Sequence, residues 1–146
     1  MKKIIIFLSF LLLTNCGYQP IFSKKGANFL IEEIIFDQND KISLKIRNNL
    51  NYLSSTKNYT KVKLNSEKKI DISSKDSKGD PLIYKMLVST NLEVYSNGIA
   101  INKKEIIKSF SYKNTTNKFD LKQYEITIEN NLINSIKEDI ILILYD

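Results

Sequence analysis

The amino-acid sequence predicts an α+β fold: a two-layer sandwich of order β-α-β-β-β-α, with a mostly antiparallel four-stranded sheet and two helices on one face. Three observations predict it. Tyr84, Met86, Val88, Thr90, Leu92 and Val94 alternate with Lys85, Ser89, Asn91 and Glu93, the period of a half-buried strand. Asn97-Gly98 follows, a strong signal for a tight hairpin turn. Leu121, Tyr124, Ile128, Leu132, Ile136, Ile140 and Ile143 then recur every three or four residues, as one stripe of a long helix does. Strands that pair antiparallel, with helices stacked on one side, bury both apolar surfaces in one core.

The elements follow in chain order. Phe29 to Phe36 is short, apolar and β-prone, and predicts the first strand. Asn39 and Asp40 supply N-capping side chains. Ile42, Ile46, Leu50 and Leu53 predict a helix over 40–55, with Lys41, Lys45, Asn48 and Asn49 on its outer side. Val62 with Leu64, and Ile70 with Ile72, alternate across a polar middle. That pattern predicts one long strand or two broken ones at a sheet edge. Ser73 to Pro81, SSKDSKGDP, has the composition of a loop. At nine residues it exceeds the two to five a hairpin needs, and loops in excess of need are where binding often resides. The returning strand covers 99–113, with Ile106, Phe110 and Tyr112 in one phase, and Thr115 to Asn117 forms a loop. Asp120 suits the positive N-terminal end of the last helix. Lys122, Glu125, Glu129 and Lys137 are expected on its outer face. Ile140 to Leu144 is apolar all round, so that turn should be buried or covered by a partner.

The N-terminus has a different character. Lys2 and Lys3 precede an apolar run, Ile4 to Leu13, and then Thr14-Asn15-Cys16-Gly17. A basic head, a short apolar stretch and a cleavage zone describe a secretory signal. The run is too short to span a bilayer, which needs about 20 residues. Leu13 three residues before Cys16 resembles the lipobox of bacterial lipoproteins. That resemblance implies diacylglycerol on the Cys16 thiol, cleavage before it, and acylation of the new amino group. Asn15 departs from the small residue usual before the Cys. More than one acyl chain anchors stably, whereas one does so only marginally. Gly17 in place of Asp points, by the same resemblance, to the outer membrane. The expected organisation is a signal peptide at 1–15, a lipidated tether at 16–28 carrying Pro20 and the basic Ser23-Lys24-Lys25, and one domain at 29–146.

Composition narrows the chemistry. The chain has no His, which removes imidazole catalysis and His metal sites. Its one Cys forbids an intrachain disulfide and, once acylated, supplies neither thiol catalysis nor a zinc site. Four scattered glycines make no phosphate-binding loop. Two S-x-x-K strings, at 54–57 and 66–69, are the chance matches of a Ser- and Lys-rich chain and lack the companion motifs of Ser–Lys enzymes. Asp76 and Asp80 share the 73–81 loop and are the one carboxylate pair an enzyme reading has, but beside Gly79 and Pro81 aspartates serve turns. Neither enzymatic activity, cofactor, metal nor nucleic acid is expected. The net charge of +6 falls to +4 without Lys2 and Lys3, a mild surplus that suits an anionic surface.

The chain resembles the LPS-assembly lipoprotein family (LptE), in its alphaproteobacterial form. The residues that carry the resemblance are Cys16-Gly17-Tyr18-Gln19-Pro20-Ile21-Phe22, like the family's C-G-F-x-P-L-Y start. The Asn97-Gly98 hairpin, Ser111-Tyr112 and Phe119 leading into the final helix support it. The resemblance implies a lipid-anchored plug and assembly partner of the LptD β-barrel in the outer membrane. It also implies a part in lipopolysaccharide transport, with lipopolysaccharide bound through basic residues. Lys75 and Lys78 are the first candidates, then Lys103, Lys104 and Lys113, because an ammonium is a good point-charge partner for lipid A phosphates. Another small adaptor lipoprotein, a pilot or barrel-assembly accessory, would share the signal and much of the fold. A direct consequence of the lipobox is testable. Cys16→Ala should leave the precursor uncut and unlipidated in pulse-chase labelling; normal processing and full membrane attachment would refute the lipobox reading.

Overall fold

The computed structural model describes residues 31–50 and 60–145. The signal, the tether, Cys16 and the expected helical extension at 51–55 lie outside the described residues. The elements are β1 (Ile31–Ile35), α1 (Lys41–Leu50), β2 (Thr60–Lys75), β3 (Pro81–Ser96), β4 (Ile99–Lys113) and α2 (Lys118–Tyr145). The sheet order is β1-β2-β3-β4. β1 runs parallel to β2, and the other two pairings are antiparallel. The β-α-β-β-β-α order and the α+β class are those the sequence predicts.

The core lies between the helices and one face of the sheet. Val62 and Leu64 of β2, Met86, Val88, Leu92 and Val94 of β3, and Ile106 and Tyr112 of β4 meet Ile42, Ile46 and Leu50 of α1 and Ile128, Leu132, Ile133, Ile136 and Ile140 of α2. α1 buries Ile42, Ile46 and Leu50 of its expected stripe, and α2 buries Leu121, Ile128, Leu132, Ile136 and Ile140 of its own. Asn97, at φ 51°, and Gly98, at φ 80°, form the β3–β4 turn. Both central residues in the left-handed region match the twist of the strands they join.

A polar chain stitches α1 to the sheet. Asp40 Oδ1 accepts the Ser43 N–H at 2.8 Å, an N-cap bond, and Asp40 Oδ2 accepts the Ser66 N–H of β2 at 2.7 Å. The Ser43 and Ser66 hydroxyls meet at 2.8 Å, and Ser66 meets the buried Thr90 hydroxyl of β3 at 2.9 Å. The capping aspartate thus also satisfies a sheet N–H just beyond the end of β1.

The structure corrects several expectations. β2 is one strand, and it and β3 extend so far that the β2–β3 connection is residues 76–80 alone. It is a compact turn: Asp76 Oδ1 accepts the N–H groups of Lys78 and Asp80, and Gly79 takes φ +90°. There is no nine-residue loop in excess of need, because Asp76 folds the polar residues back into a hairpin. Glu125 and Glu129 are not on the outer face of α2. α1 and the sheet flank the helix on both sides of its apolar stripe, so Glu129 is only 9 % exposed and Glu125 accepts the Tyr112 hydroxyl at 2.8 Å. Phe110 and Tyr124 keep the predicted phase yet stay half-exposed. At the end of α2, Ile140 and Ile141 are buried and Leu142 is exposed.

Asp40→Ala should remove about 1–2 kcal/mol of stability as a lost N-cap, with a further loss from the Ser66 N–H. Lys41→Ala, one residue on and exposed, should stay within about 0.5 kcal/mol. Urea midpoints of the two variants check this; equal losses would show that the cap is not a structural anchor.

Candidate functional site

Strand geometry sorts the five candidate lysines. Lys75 and Lys78 sit at the β2–β3 turn, and Lys113 lies beside Ile83 near the same end. Lys103 and Lys104 lie ten and nine residues back along β4, about 30–33 Å away at 3.3 Å per residue. Successive residues of a strand face opposite ways, so Lys104 is on the helix side and Lys103 on the open side. The five do not form one site. Among the described residues Lys75, Lys78 and Lys113 at the turn end form no ion pair, nor does Lys104, whereas Lys103 does. Asp76 is occupied with turn hydrogen bonds, as its neighbours Gly79 and Pro81 led one to expect.

Lys103 is committed elsewhere. Its Nζ lies 2.8 Å from Glu93 Oε1 across the β3–β4 pair. Glu93 Oε2 accepts the Tyr95 hydroxyl at 2.8 Å and lies 3.8 Å from Lys63 Nζ. The hydrogen bonds from Lys103 and then Tyr95 hold the Glu93 carboxyl below its ordinary value, and Glu93 in turn raises Lys103 and Tyr95. Lys63, Asn65, Asn91, Glu93 and Lys103 line a depression of about 230 Å³ on the face away from the helices. The same face carries the Lys61–Glu33 pair at 2.9 Å, which raises the Lys61 ammonium. It is a polar, nearly balanced surface, broken by the exposed Ile35 and Ile107.

On the helix side a partly buried ion triad joins three elements. Glu129 of α2 accepts hydrogen bonds from Lys45 of α1 and, at 2.6 Å, from Lys68 of β2. Burial pushes the Glu129 carboxyl up, but the hydrogen bonds from Lys45 and Lys68 outweigh it, so the group sits below its ordinary value. Beside the triad a groove of about 380 Å³ between the helices is lined by Asn48, Asn49, Asn130 and Asn134. Helical periodicity missed this triad because it assigns a charge to the outside. The available signal was the position of Glu129 next to Ile128 and four residues before Ile133, on the flank of the stripe. Tyr112 stacks within 5.7 Å of Tyr84 and meets Tyr124 edge-on at 6.2 Å. Burial and its bond to Glu125 push the Tyr112 hydroxyl well up. Among the described residues no cluster of metal-ligating side chains occurs.

The architecture defines the class: an α+β sandwich whose mixed four-stranded sheet is covered on one face by two helices and, among the described residues, open on the other. Solved structures of bacterial lipoproteins share it. Rare lipoprotein B from Shewanella oneidensis superposes with a TM-score of 0.58 over 78 % of this chain and 94 % of its own, at 12 % identity. An uncharacterized lipoprotein B from Nitrosomonas europaea gives a TM-score of 0.63 over 77 % and 79 %, at 10 % identity. A putative lipoprotein from Caulobacter crescentus gives 0.53 over 76 % and 85 %, at 10 % identity. At these identities the likeness is one of fold. No protein-family model and no curated protein sequence matches the chain.

Glu129→Gln should cost about 1.5–3 kcal/mol at pH 7, the range for hydrogen bonds to a charged group, and the lower half is expected because both lysines are partly exposed. The carboxyl is depressed in the fold, so its stabilisation is fully present above its ordinary value of 4.5 and is lost as pH falls through the folded value. The gap between wild type and variant should therefore close below pH 4.5. A gap unchanged down to pH 3 in chemical denaturation would contradict the triad.

Proposed function

We propose that this chain is an outer-membrane lipoprotein, anchored through acylated Cys16, that serves as plug and assembly partner of an LptD-type β-barrel in lipopolysaccharide transport. The reading is of a non-enzymatic protein. The observation that carries it is the fold shared with rare lipoprotein B, a name of the LPS-assembly lipoprotein family, on a chain whose N-terminus has the form of a lipobox. The open face of the sheet supports it. A barrel lumen is polar, and the Lys63–Glu93–Lys103 row with Asn65 and Asn91 is a polar surface suited to such a wall. Lipopolysaccharide is the proposed ligand at the turn end, where Lys75, Lys78 and Lys113 form no ion pair among the described residues and outnumber Asp76 and Asp80. Lys103 is a poorer candidate because Glu93 holds it.

A tagged full-length chain, solubilised from membranes in mild detergent, should bring down an LptD-type barrel. Recovery of a different barrel would establish the adaptor reading instead, and recovery of none would overturn the assignment. Lys75→Glu with Lys78→Glu should weaken retention of lipopolysaccharide, more at low salt than at high salt, because exposed charges are screened over about 10 Å at 0.1 M. Unchanged retention would remove the turn end as the ligand site.

A further inference from the structure

β1 covers the edge of β2 only as far as Lys63. From there β2 continues for twelve residues, and among the described residues no strand lies beside them. The first outward N–H, that of Ser66, is taken by Asp40 Oδ2. Backbone polar groups alternate along a strand, so Lys68, Ile70 and Ile72 also direct N–H and C=O away from β3. Their side chains face the helix side, but α1 does not extend that far, and Ile70 and Ile72 are 38 % and 47 % exposed. An open edge with exposed apolar side chains is a template for another strand.

The side chains on this edge select the strand that fits. We propose that it pairs antiparallel with the same edge of a second copy, with Ile70 on the two-fold axis, joining two sheets into one of eight strands. In that register Ile70 faces Ile70 of the second copy, and Ile72 lies across from the aliphatic stem of Lys68. Lys69 lies across from Asp71 of the second copy, and the symmetry makes that opposite-charge contact twice. The neighbouring registers are worse. Centring on Lys69 or on Asp71 sets like charges face to face, which destabilises a pair. Centring on Lys68 puts two ammoniums on the axis and drives the second strand toward the Asp40 cap. Centring on Ile72 sets Ile70 against Ser74 and Lys69 against Lys75. Lys69 and Asp71 are well exposed, at 64 % and 54 % of their side-chain surface, and they lie 3.6 Å apart along the strand, so both are positioned for exchange. The uncapped stretch is about seven residues, roughly 23 Å of strand. A pairing of that size belongs to the weak, transient class of interface. It stands independently of the barrel reading.

The test is a charge swap on the full-length chain in detergent micelles, followed by sedimentation equilibrium. Wild type should show a reversible monomer–dimer equilibrium. Lys69→Asp and Asp71→Lys, each alone, place like charges across the axis and should weaken association by about tenfold. The double swap restores opposite charges and should restore association. In parallel, Lys69→Cys and Asp71→Cys chains in a Cys16→Ala background should form a mixed disulfide when combined and little disulfide separately. A wild type monomeric at every concentration overturns the proposal, as does a double swap no better than the single variants. Barrel co-purification with no self-association would sink this inference and leave the proposed function standing; self-association without a barrel would do the reverse.

Discussion

The organisation of this molecule depends on a mismatch of rise. A strand advances about 3.3 Å per residue and a helix 1.5 Å. β2 and β3, at 16 residues each, therefore span about 50 Å, whereas the ten residues of α1 reach about 15 Å. α2 needs its 28 residues to run about 42 Å along the same sheet. The helix layer is complete only where both helices lie on the sheet. Beyond Ser66 α2 alone covers it. That is why the buried residues of β2 stop at Leu64 while those of β3, at the centre, run from Met86 to Val94.

Polar side chains fix how the layers meet. The Asp40–Ser43–Ser66–Thr90 chain locks α1 at the level where β1 ends, and the Lys45–Glu129–Lys68 triad locks α2 against both α1 and β2. Apolar burial is non-directional and would tolerate a helix sliding along the sheet. These charge-assisted bonds do not, because displacing α2 by a turn would leave a carboxylate facing the core. The cost of such displacement explains why charges sit inside a small domain that has ample isoleucine.

The result is a molecule with three unlike surfaces. The open face is a mosaic of ion pairs and amides, the turn end carries unpaired lysines, and the β2 edge offers backbone groups beside two exposed isoleucines. The proposed barrel lumen, phosphate-bearing ligand and second copy ask for three different chemistries. They can be served by separate surfaces of one scaffold because the sheet extends beyond its helix layer.

The sequence by itself determined the element order, the phase of β3 and β4, the Asn97-Gly98 turn and the buried stripe of each helix. Periodicities of 2 and 3.6 and a two-residue turn are local properties, set by backbone geometry. The lysines were visible too, but not their grouping: Lys103 and Lys104 are adjacent in sequence and opposed across the sheet. The tertiary structure alone decided that SSKDSKGDP is mostly strand, since pairing of β2 with β3 extends strand into a segment whose composition says loop. It alone placed Glu129 between Lys45 and Lys68, 84 and 61 residues away, and left Ile70 and Ile72 uncovered. Helical period assigns a residue to a face, but which flanks of that face are buried depends on what packs there. That information resides in the register and length of distant elements, which a local pattern does not contain.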